Sequence, residues 1–236
     1  MVINVVDSII KESAFFGVVL SLFAYQFGMF LKKKTKSDIV NPLLVAIVVC
    51  IVVLVLFDID YEQYNNGAKY ISFLLTPATV CLAIPLYEQY ELLKNNWKAI
   101  ISGISAGIIT NAVSIYLLSL LFGFSHEEYV TFLPKSITTA IGMGISEELG
   151  GIVSITVSSI VITGIFGSLI AERIYKILKI KNPIAKGIAT GTAAHAMGTS
   201  KAMEMGEVEG AMSSLAIVVS GLLTVVTVTG FFSDLI

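Results

Sequence analysis

The sequence predicts an all-α integral membrane protein, a polytopic helical bundle with two opposed segments that re-enter the membrane or break within it. The chain of 236 residues is 56% hydrophobic and only 14% charged, whereas soluble domains carry roughly 25% charged residues. Its apolar residues also cluster into runs of about 18 to 25, the length that crosses a hydrocarbon core roughly 30 Å thick. We therefore expect a single membrane domain over residues 1–236.

Six apolar runs are long enough to be full spans, and two further stretches are not. The full spans are predicted at about 14–31, 40–57, 68–87, 98–122, 151–171 and 210–231. The other two stretches, at about 133–150 and 184–202, are rich in Gly, Ala, Ser and Thr. Each is too short or too polar for an ordinary span.

The distribution of basic residues predicts the orientation of the spans. Eleven of the 15 Lys and Arg residues lie in three loops, which the positive-inside rule assigns to the cytoplasm. The opposite loops, 58–67 and 124–129, contain acids but no Lys or Arg. Residues 133–150 then enter and leave on the outer face, and residues 184–202 on the inner face. We call them the outer segment and the inner segment, and expect re-entrant hairpins whose irregular backbone is shielded from lipid.

An internal repeat supports this arrangement. Residues 138–146, TTAIGMGIS, align with residues 192–200, TAAHAMGTS, at an offset of 54. Five of nine positions match: Thr138/Thr192, Ala140/Ala194, Met143/Met197, Gly144/Gly198 and Ser146/Ser200. Inverted repeats with broken helices are typical of secondary transporters. The alternative is chance similarity between residues that are common in membrane segments.

The outer segment combines a cation with hydroxyl groups and glycines. Its candidate binding residues are Lys135, Ser136, Thr138 and Thr139. A cation beside hydroxyls suits a carboxylate, and the N-terminus of a half-helix adds a partial positive charge. Alternatively, Lys135 lies at the interface and its ammonium group reaches water. Glu147 is a candidate for a proton or cation relay, or a solvated acid if the segment is shallow.

The inner segment repeats the pattern of small, hydroxyl-bearing and basic residues. Its candidate binding residues are His195, Gly198, Thr199 and Ser200. His195 is also a candidate proton carrier, because imidazole changes charge near physiological pH. The alternative is a histidine whose ring is satisfied by a neighbouring carbonyl.

Two prolines interrupt the third predicted span. Pro77 and Pro85 are eight residues apart, and each removes a backbone donor. Thr76 and Thr79 either restore hydrogen bonds to the disturbed backbone or face a solute, which makes them two further candidate binding residues. The alternative is a kinked helix that serves packing alone.

Several functional classes are disfavoured by the motifs that the sequence lacks. It contains no Walker-type loop, HExxH or paired Cys ligands. It has no basic patch with interleaved aromatic residues of the kind that binds nucleic acid. We therefore expect a protein that is not an enzyme, with no catalytic residue, metal, cofactor or nucleic-acid partner.

Three stretches of the chain resemble the hallmark segments of the LrgB/CidB family of bacterial membrane proteins. They are TPATVCLAIPLYEQ, LPKSITTAIGMGISEELGG and AAHAMGTSKAMEMGEVEGAMSSLA. The C-terminal domain of the plastidial glycolate/glycerate translocator of plants is similar. Ala140 departs from the family pattern, since many members have proline after the paired threonines.

The resemblance implies two different kinds of function in a multi-pass protein of the bacterial plasma membrane. One is transport of small monocarboxylates such as glycolate, glycerate or pyruvate. The other is holin-like or antiholin-like control of murein hydrolase activity and lysis, together with a small membrane protein of the LrgA/CidA type. The residues favour transport, because a holin needs only oligomerising apolar helices. A chain of 25.3 kDa is small for a complete carrier, so we also expect a homo-oligomer such as a dimer.

Overall fold

The computed structural model describes residues 15–35, 40, 42–74, 77, 80, 81 and 83–236. All regular secondary structure within these residues is helical. The chain divides into two compact units, of which the first ends at Cys81 and the second comprises Leu82–Ile236.

The described residues of the first unit form three helices: α1 (Phe16–Thr35), α2 (Pro42–Leu56) and α3 (Tyr61–Phe73). α1 packs against both α2 and α3. At Gly17 the backbones of α1 and α3 come so close that a β-carbon would collide with the Tyr64 carbonyl oxygen. One turn later the Ser21 and Tyr64 hydroxyl groups share a hydrogen bond of 2.7 Å.

In the second unit, residues 83–236 form seven α-helices and a short helical tail. The α-helices are α4 (Ala83–Glu88), α5 (Tyr90–Phe122), α6 (His126–Phe132), α7 (Thr139–Glu148), α8 (Val153–Ile177), α9 (Pro183–Met205) and α10 (Glu207–Thr227). A π-helix over Val228–Phe232 and a 3₁₀ turn over Ser233–Leu235 follow α10. α9 contacts α10, α8 and α5, while α7 contacts α8 and α10.

One face of α5 supports both ends of this unit. Ile100, Ile104 and Ile108 recur every four residues, which places them on a single face. They pack with residues of α9 and α10, including Ile188 and Met212. Further along α5, Ala112 and Ile115 pack with a second apolar cluster formed around Tyr129, Val130, Leu133 and Ile137. α5 therefore holds the inner segment along its first half and the outer segment along its second half.

Among the described residues, three helices are long and apolar enough to cross a membrane: Tyr90–Phe122, Val153–Ile177 and Glu207–Leu235. They coincide with the spans predicted at 98–122, 151–171 and 210–231. α2 coincides with the span predicted at 40–57, but it has only 15 residues. α1 coincides with the span predicted at 14–31 and ends in the polar turn Lys32–Lys34.

The span predicted at 68–87 does not form one helix. α3 begins at Tyr61, ends at Phe73, and is separated from α4, which begins at Ala83. The end of α3 lies shortly before Pro77, as expected because a proline disfavours helical backbone at the preceding residue. The polar run before residue 68, which resembled a loop, forms the first half of α3. Thr76 and Thr79 lie outside the described residues.

Candidate functional site

The inner segment lies in α9, which has a strong start signal and an internal break. The Asn182 Oδ1 atom accepts a hydrogen bond of 3.2 Å from the Ala185 amide, and Pro183 follows the cap, as is favourable at a helix start. Within α9, His195 adopts φ 41° and ψ −128°. Positive φ is uncommon for a residue other than glycine. α9 therefore consists of two arms, residues 183–194 and residues 196–205.

The first arm runs alongside α10 in the same direction. A β-carbon at Gly187 would collide with the Glu209 carbonyl oxygen, and one at Gly191 with the Ser213 carbonyl oxygen. The contact on α10 thus advances by four residues as the arm advances by four. These two glycines allow the backbones of α9 and α10 to pack closely.

The second arm runs back along α10 in the opposite direction. The Thr199 and Ser213 hydroxyl groups share a hydrogen bond of 2.7 Å. Four residues later, Met203 packs against Gly210, where a β-carbon would lie 2.9 Å from the Met203 Cγ atom. The contact on α10 now retreats as α9 advances, so the chain reverses its direction at His195.

The apex and the base of the inner segment contact different levels of α8. Near the base, the Lys201 Nζ atom lies 2.7 Å from Glu172 Oε1. At the apex, the His195 Nε2 atom lies 3.2 Å from the Ile160 carbonyl oxygen. Ile160 and Glu172 are twelve residues apart, which corresponds to about 18 Å along a helix axis.

The imidazole ring of His195 is buried against the backbone of α8. Because the carbonyl oxygen of Ile160 can only accept, Nε2 carries the proton in this hydrogen bond. A β-carbon at Gly164 would lie 2.8 Å from the ring Cε1 atom, so the ring requires glycine there. Nδ1 forms no hydrogen bond within the described chain. This geometry matches the alternative of a histidine satisfied by a neighbouring carbonyl.

The outer segment begins after α6, which starts with a capping box. The Ser125 amide and hydroxyl donate to Glu128 Oε2 at 2.8 and 3.0 Å. These hydrogen bonds hold the pKa of the exposed Glu128 carboxyl below its ordinary value. The capping box fixes the residue at which α6 begins after α5.

The polar tip of the outer segment is bound to the middle of α5. Asn111 Nδ2 donates to the Leu133 carbonyl oxygen at 3.1 Å, and Ser136 Oγ donates to Asn111 Oδ1 at 3.1 Å. The half-buried Lys135 donates from Nζ to Ser136 Oγ at 3.3 Å. Lys135 forms no ion pair with any acid among the residues that the structure describes.

α7 carries the outer segment back along α8. The Thr156 hydroxyl group donates to Ser146 Oγ at 2.7 Å. One turn away, a β-carbon at Gly142 would collide with the Ile160 side chain. Ile160 is therefore contacted by the outer segment through its side chain and by the inner segment through its carbonyl group.

The two segments also meet on α5. A β-carbon at Gly107 would lie 2.7 Å from Thr192 Cγ2 of the inner segment, while Asn111 binds the outer segment. Gly107 and Asn111 are one turn apart, about 6 Å along the axis. The Thr192 hydroxyl oxygen is buried and has no hydrogen-bond partner in the described chain. Polar groups from both segments thus approach one short stretch of α5.

The sequence matches the model of the LrgB-like family over residues 21–233. This chain belongs to the LrgB-like family. It is 42% identical over 218 residues to the Antiholin-like protein LrgB of Bacillus mycoides (strain KBAB4), covering 92% of this chain and 95% of that protein. It is 41% identical over the same length, with the same coverage, to the protein of that name from Bacillus cereus (strain B4264). No solved structure matches the chain.

These relatives confirm the LrgB resemblance that the three sequence segments indicated. Their shared name, antiholin-like protein, agrees with the second of the two functions that the resemblance implied. The name carries no reference to solute transport.

The predicted binding residues of the inner segment have different surroundings in this LrgB-like chain. Gly198 is buried, and a β-carbon there would lie 2.8 Å from Ala194 Cβ, so it packs the second arm against the first. The buried Thr199 hydroxyl is bound to Ser213, and Ser200 is exposed. The structure therefore brings only His195 of this set to Ile160 of α8, which both segments contact.

The remaining predicted residues belong to α7 and its start. Thr138 is the N-cap of α7 without a side-chain capping bond, and both Thr138 and Thr139 are half-buried. The first backbone amides of α7 therefore donate no capping hydrogen bond to the Thr138 side chain. Glu147 is exposed near the end of α7, beside Ser146, which contacts Thr156 rather than Ile160. The structure does not bring Glu147 to the histidine.

Both segments approach the turn of α5 from Gly107 to Asn111, which we call the meeting point, and two residues there were absent from the predicted site. Asn111 was recognisable as a polar residue in the middle of an apolar span, but its partners in the outer segment were not. Thr192 belongs to the repeat, yet nothing in the sequence indicates that its hydroxyl group is buried without a partner. Both became visible only through the packing against α5.

A charged cleft of about 620 Å³ lies at the base of the inner segment, between the end of α8 and the start of α10. We call it the basic cleft. The charged residues that line it are Lys176, Lys179, Lys181, Lys186, Glu172, Glu204 and Glu209. Within the described residues, no cluster of His, Cys, Asp and Glu lies close enough to hold a metal ion.

Proposed function

We propose that this chain is an antiholin-like membrane protein, as its Bacillus relatives are named, and that it acts by passing a small monocarboxylate through its second unit. The observation that carries the proposal is the meeting of the outer and inner segments at Ile160 and at the turn from Gly107 to Asn111. The proposed location is the bacterial plasma membrane, with several membrane passages.

The depth of both segments supports an opposed, re-entrant arrangement. The inner segment reverses at His195, about 18 Å along α8 from Glu172, which is roughly half of a 30 Å hydrocarbon core. On the other side, Asn111 lies eleven residues before Phe122, or about 17 Å from the end of α5. Two broken segments that meet near the midplane are the recurring site architecture of secondary transporters.

The polar groups at the meeting point support an anionic solute. Lys135 brings a cation that has no acidic partner among the described residues, and an unpaired charge in an apolar bundle is costly. A bound carboxylate supplies the missing negative charge, while Ser136, Asn111 and Thr192 offer hydrogen bonds to its oxygen atoms. The short separation of Gly107 and Asn111 favours a small molecule such as glycolate, glycerate or pyruvate.

We propose that transport is coupled to protons. His195, at the apex of the inner segment, would carry the proton, and Glu147 of the outer segment would relay it. His195 is the better placed of the two, because it lies at the reversal of the chain. His195→Gln preserves a donor to the Ile160 carbonyl group and removes the titration. Uptake by this variant should continue but lose the part of its pH dependence that arises from His195.

The relatives' name, antiholin-like protein, favours a second candidate function that involves no solute. The family resemblance implies that this function is a pore-associated regulator of murein hydrolases with no substrate of its own. Such a protein would act with a small membrane protein of the LrgA/CidA type. A homo-oligomer, such as a dimer, is compatible with either function.

Uptake into proteoliposomes separates the two functions. The wild type is reconstituted alone and with an LrgA/CidA-type protein, and uptake of labelled glycolate and pyruvate is measured beside leakage of an entrapped dye. We expect saturable uptake that Lys135→Met abolishes and that the exposed control Lys69→Met leaves unchanged. Dye leakage without saturable uptake would instead favour the pore-associated regulator.

Lysis in cells provides the complementary test. A Bacillus strain that lacks its own LrgB-like protein is complemented with the wild type or with Lys135→Met, and the rate of autolysis is measured. If solute passage underlies the antiholin-like role, the variant loses lysis control together with uptake. Normal lysis control by a variant that does not transport would show that the two activities are separate.

A further inference from the structure

The basic cleft is the second polar feature of this unit, and it lies at the base of the inner segment. Two of its lysines, Lys179 and Lys181, are exposed and form no ion pair within the described part of the chain. The cleft therefore presents unpaired positive charge beside the two arms of α9. Positive charge at the mouth of a cleft raises the local concentration of anions.

The first arm of the inner segment is held firmly at this level. The buried Tyr175 hydroxyl group of α8 lies 2.6 Å from Thr190 Oγ1 and donates to the Lys186 carbonyl oxygen at 3.1 Å. Lys186 also forms an ion pair of 3.8 Å with the nearly buried Glu209 of α10. Three contacts from two different helices thus fix the first arm.

The second arm is held to α8 by a more exposed contact. Lys201 Nζ lies 2.7 Å from Glu172 Oε1 and 3.2 Å from Glu204 Oε2. The side chain of Lys201 is 25% exposed and that of Glu172 is 41% exposed. An ion pair with this exposure contributes little stability and is easily exchanged. Both of its glutamates line the basic cleft.

We propose that the basic cleft is a carboxylate-binding vestibule in which an entering carboxylate replaces Glu172 as the partner of Lys201 and releases the second arm from α8. The exchange is chemically balanced, because one carboxylate takes the place of another on the same ammonium group. Release of the second arm opens a way from the cleft towards the buried Thr192. The inference rests on the proposed function, since it describes how a solute reaches the meeting point.

We call the ion pair between Lys201 and Glu172, together with the second arm that it holds, the gate. Thiol accessibility tests the gate without requiring transport. The native Cys50 and Cys81 are replaced by serine, Thr192→Cys is introduced, and the rate of modification by a charged, membrane-impermeant thiol reagent is measured from each side of oriented vesicles. In this background Glu172→Gln or Lys201→Met should speed modification from the basic side by about two- to fivefold, the range that a partly exposed ion pair supports.

Two variants serve as controls for this experiment. Lys201→Arg keeps the charge, and Glu207→Gln removes an exposed acid of α10 that forms no ion pair in the described chain. In both variants the thiol introduced by Thr192→Cys should be modified at the rate seen in the parent protein. Equal rates for all variants, or faster modification only from the opposite side, would overturn the gate.

Binding of acetate to the purified protein tests the vestibule itself. Lys135→Met removes the cation at the meeting point, so that any remaining site lies elsewhere. Relaxation of the acetate NMR signal should still report saturable binding by this variant, and Lys135→Met/Lys201→Met should lose it. Binding that survives the double substitution would refute the vestibule, whatever the uptake experiment shows. A failure of uptake alongside a positive accessibility result would instead count against the proposed transport alone.

Discussion

At the aligned positions of the two segments, Ile141 of the outer segment corresponds to His195 of the inner segment. Ile141 reaches Gly221 of α10, where a β-carbon would lie 2.9 Å from its Cδ1 atom. His195 reaches Gly164 of α8 in a similar way. Each position therefore packs against a glycine on the long helix that follows the other segment. The packing is similar in the two halves while the chemistry differs, which supports the proposed inverted repeat.

The two segments differ in whether their lysines form ion pairs. The inner segment neutralises its lysines at the base, where Lys186 pairs with Glu209 and Lys201 with Glu172. The outer segment keeps Lys135 near its tip without an acidic partner in the described chain. The inner segment thus pairs its lysines with acids, whereas the outer segment leaves a charge available for binding.

The largest expected difference concerns the aligned glycines Gly198 and Gly144. Gly198 is enclosed by Thr190 and Ala194, whereas a β-carbon at Gly144 meets nothing within 4 Å. Gly198→Ala should lower the free energy of unfolding by about 1–3 kcal/mol through overpacking. Gly144→Ala should raise it by up to about 1 kcal/mol, because alanine is the better helix former. Thermal unfolding in detergent measures both, and equal effects would argue against the hairpin packing.

The aligned serines should show the reverse asymmetry. Ser146 is buried and bound to Thr156, whereas Ser200 is exposed. Ser146→Ala should lower the free energy of unfolding by about 1 kcal/mol, the usual contribution of one hydrogen bond. Ser200→Ala serves as the matched control and should leave the unfolding temperature unchanged. A larger effect at Ser200 would place that residue in an interface that the single chain does not contain.

The entry to the inner segment should be stabilised by its cap. Asn182→Ala removes the bond to the Ala185 amide and should lower stability by about 0.5–1 kcal/mol. Asn182→Asp keeps an acceptor at the same position and should retain the stability of the wild type. Hydrogen exchange of the first turn of α9 provides a local measurement. Unchanged exchange in Asn182→Ala would show that Pro183 alone fixes this helix start.

The smallest expected effect is a pH dependence at the entry to the outer segment. The pKa of Glu128 is lowered by its hydrogen bonds to Ser125, so its ionised form stabilises the folded state. That contribution is complete above the ordinary value of 4.5 and disappears as the pH falls through the lower folded value. The difference in unfolding temperature between wild type and Glu128→Gln should therefore shrink only in acid. A difference that stays constant at all pH values would contradict the capping role.

The long spans could be predicted because their signal is local. α5, α8 and α10 each contain an uninterrupted apolar run, and no distant contact is needed to recognise it. The small residues of the inner segment likewise predicted that it is not an ordinary span. Which residue carries the reversal depends on the packing of His195 against Ile160 and Gly164, and such contacts have no local signature.

The site itself was predicted less completely than the fold. Lys135 and Ser136 were recognisable by their chemistry, and His195 by its rarity within an apolar chain. The engagement of Thr199 by Ser213 and the exposure of Glu147 follow from how the helices are rotated, which the sequence pattern does not specify. The bounds of α3 differ from those of the third predicted span, because the polar residues before position 68 resemble a loop, although they form the first half of α3.

The inner segment contacts the carbonyl group of Ile160, and the outer segment contacts its side chain. In the proposed opposed arrangement, water that follows both segments inward is separated at this level by the polypeptide around Ile160. The membrane voltage would then fall over a few ångströms instead of about 30 Å. Since moving one elementary charge through 100 mV corresponds to about 2.3 kcal/mol, an anion would experience nearly the full electrical driving force within a displacement similar to its own diameter.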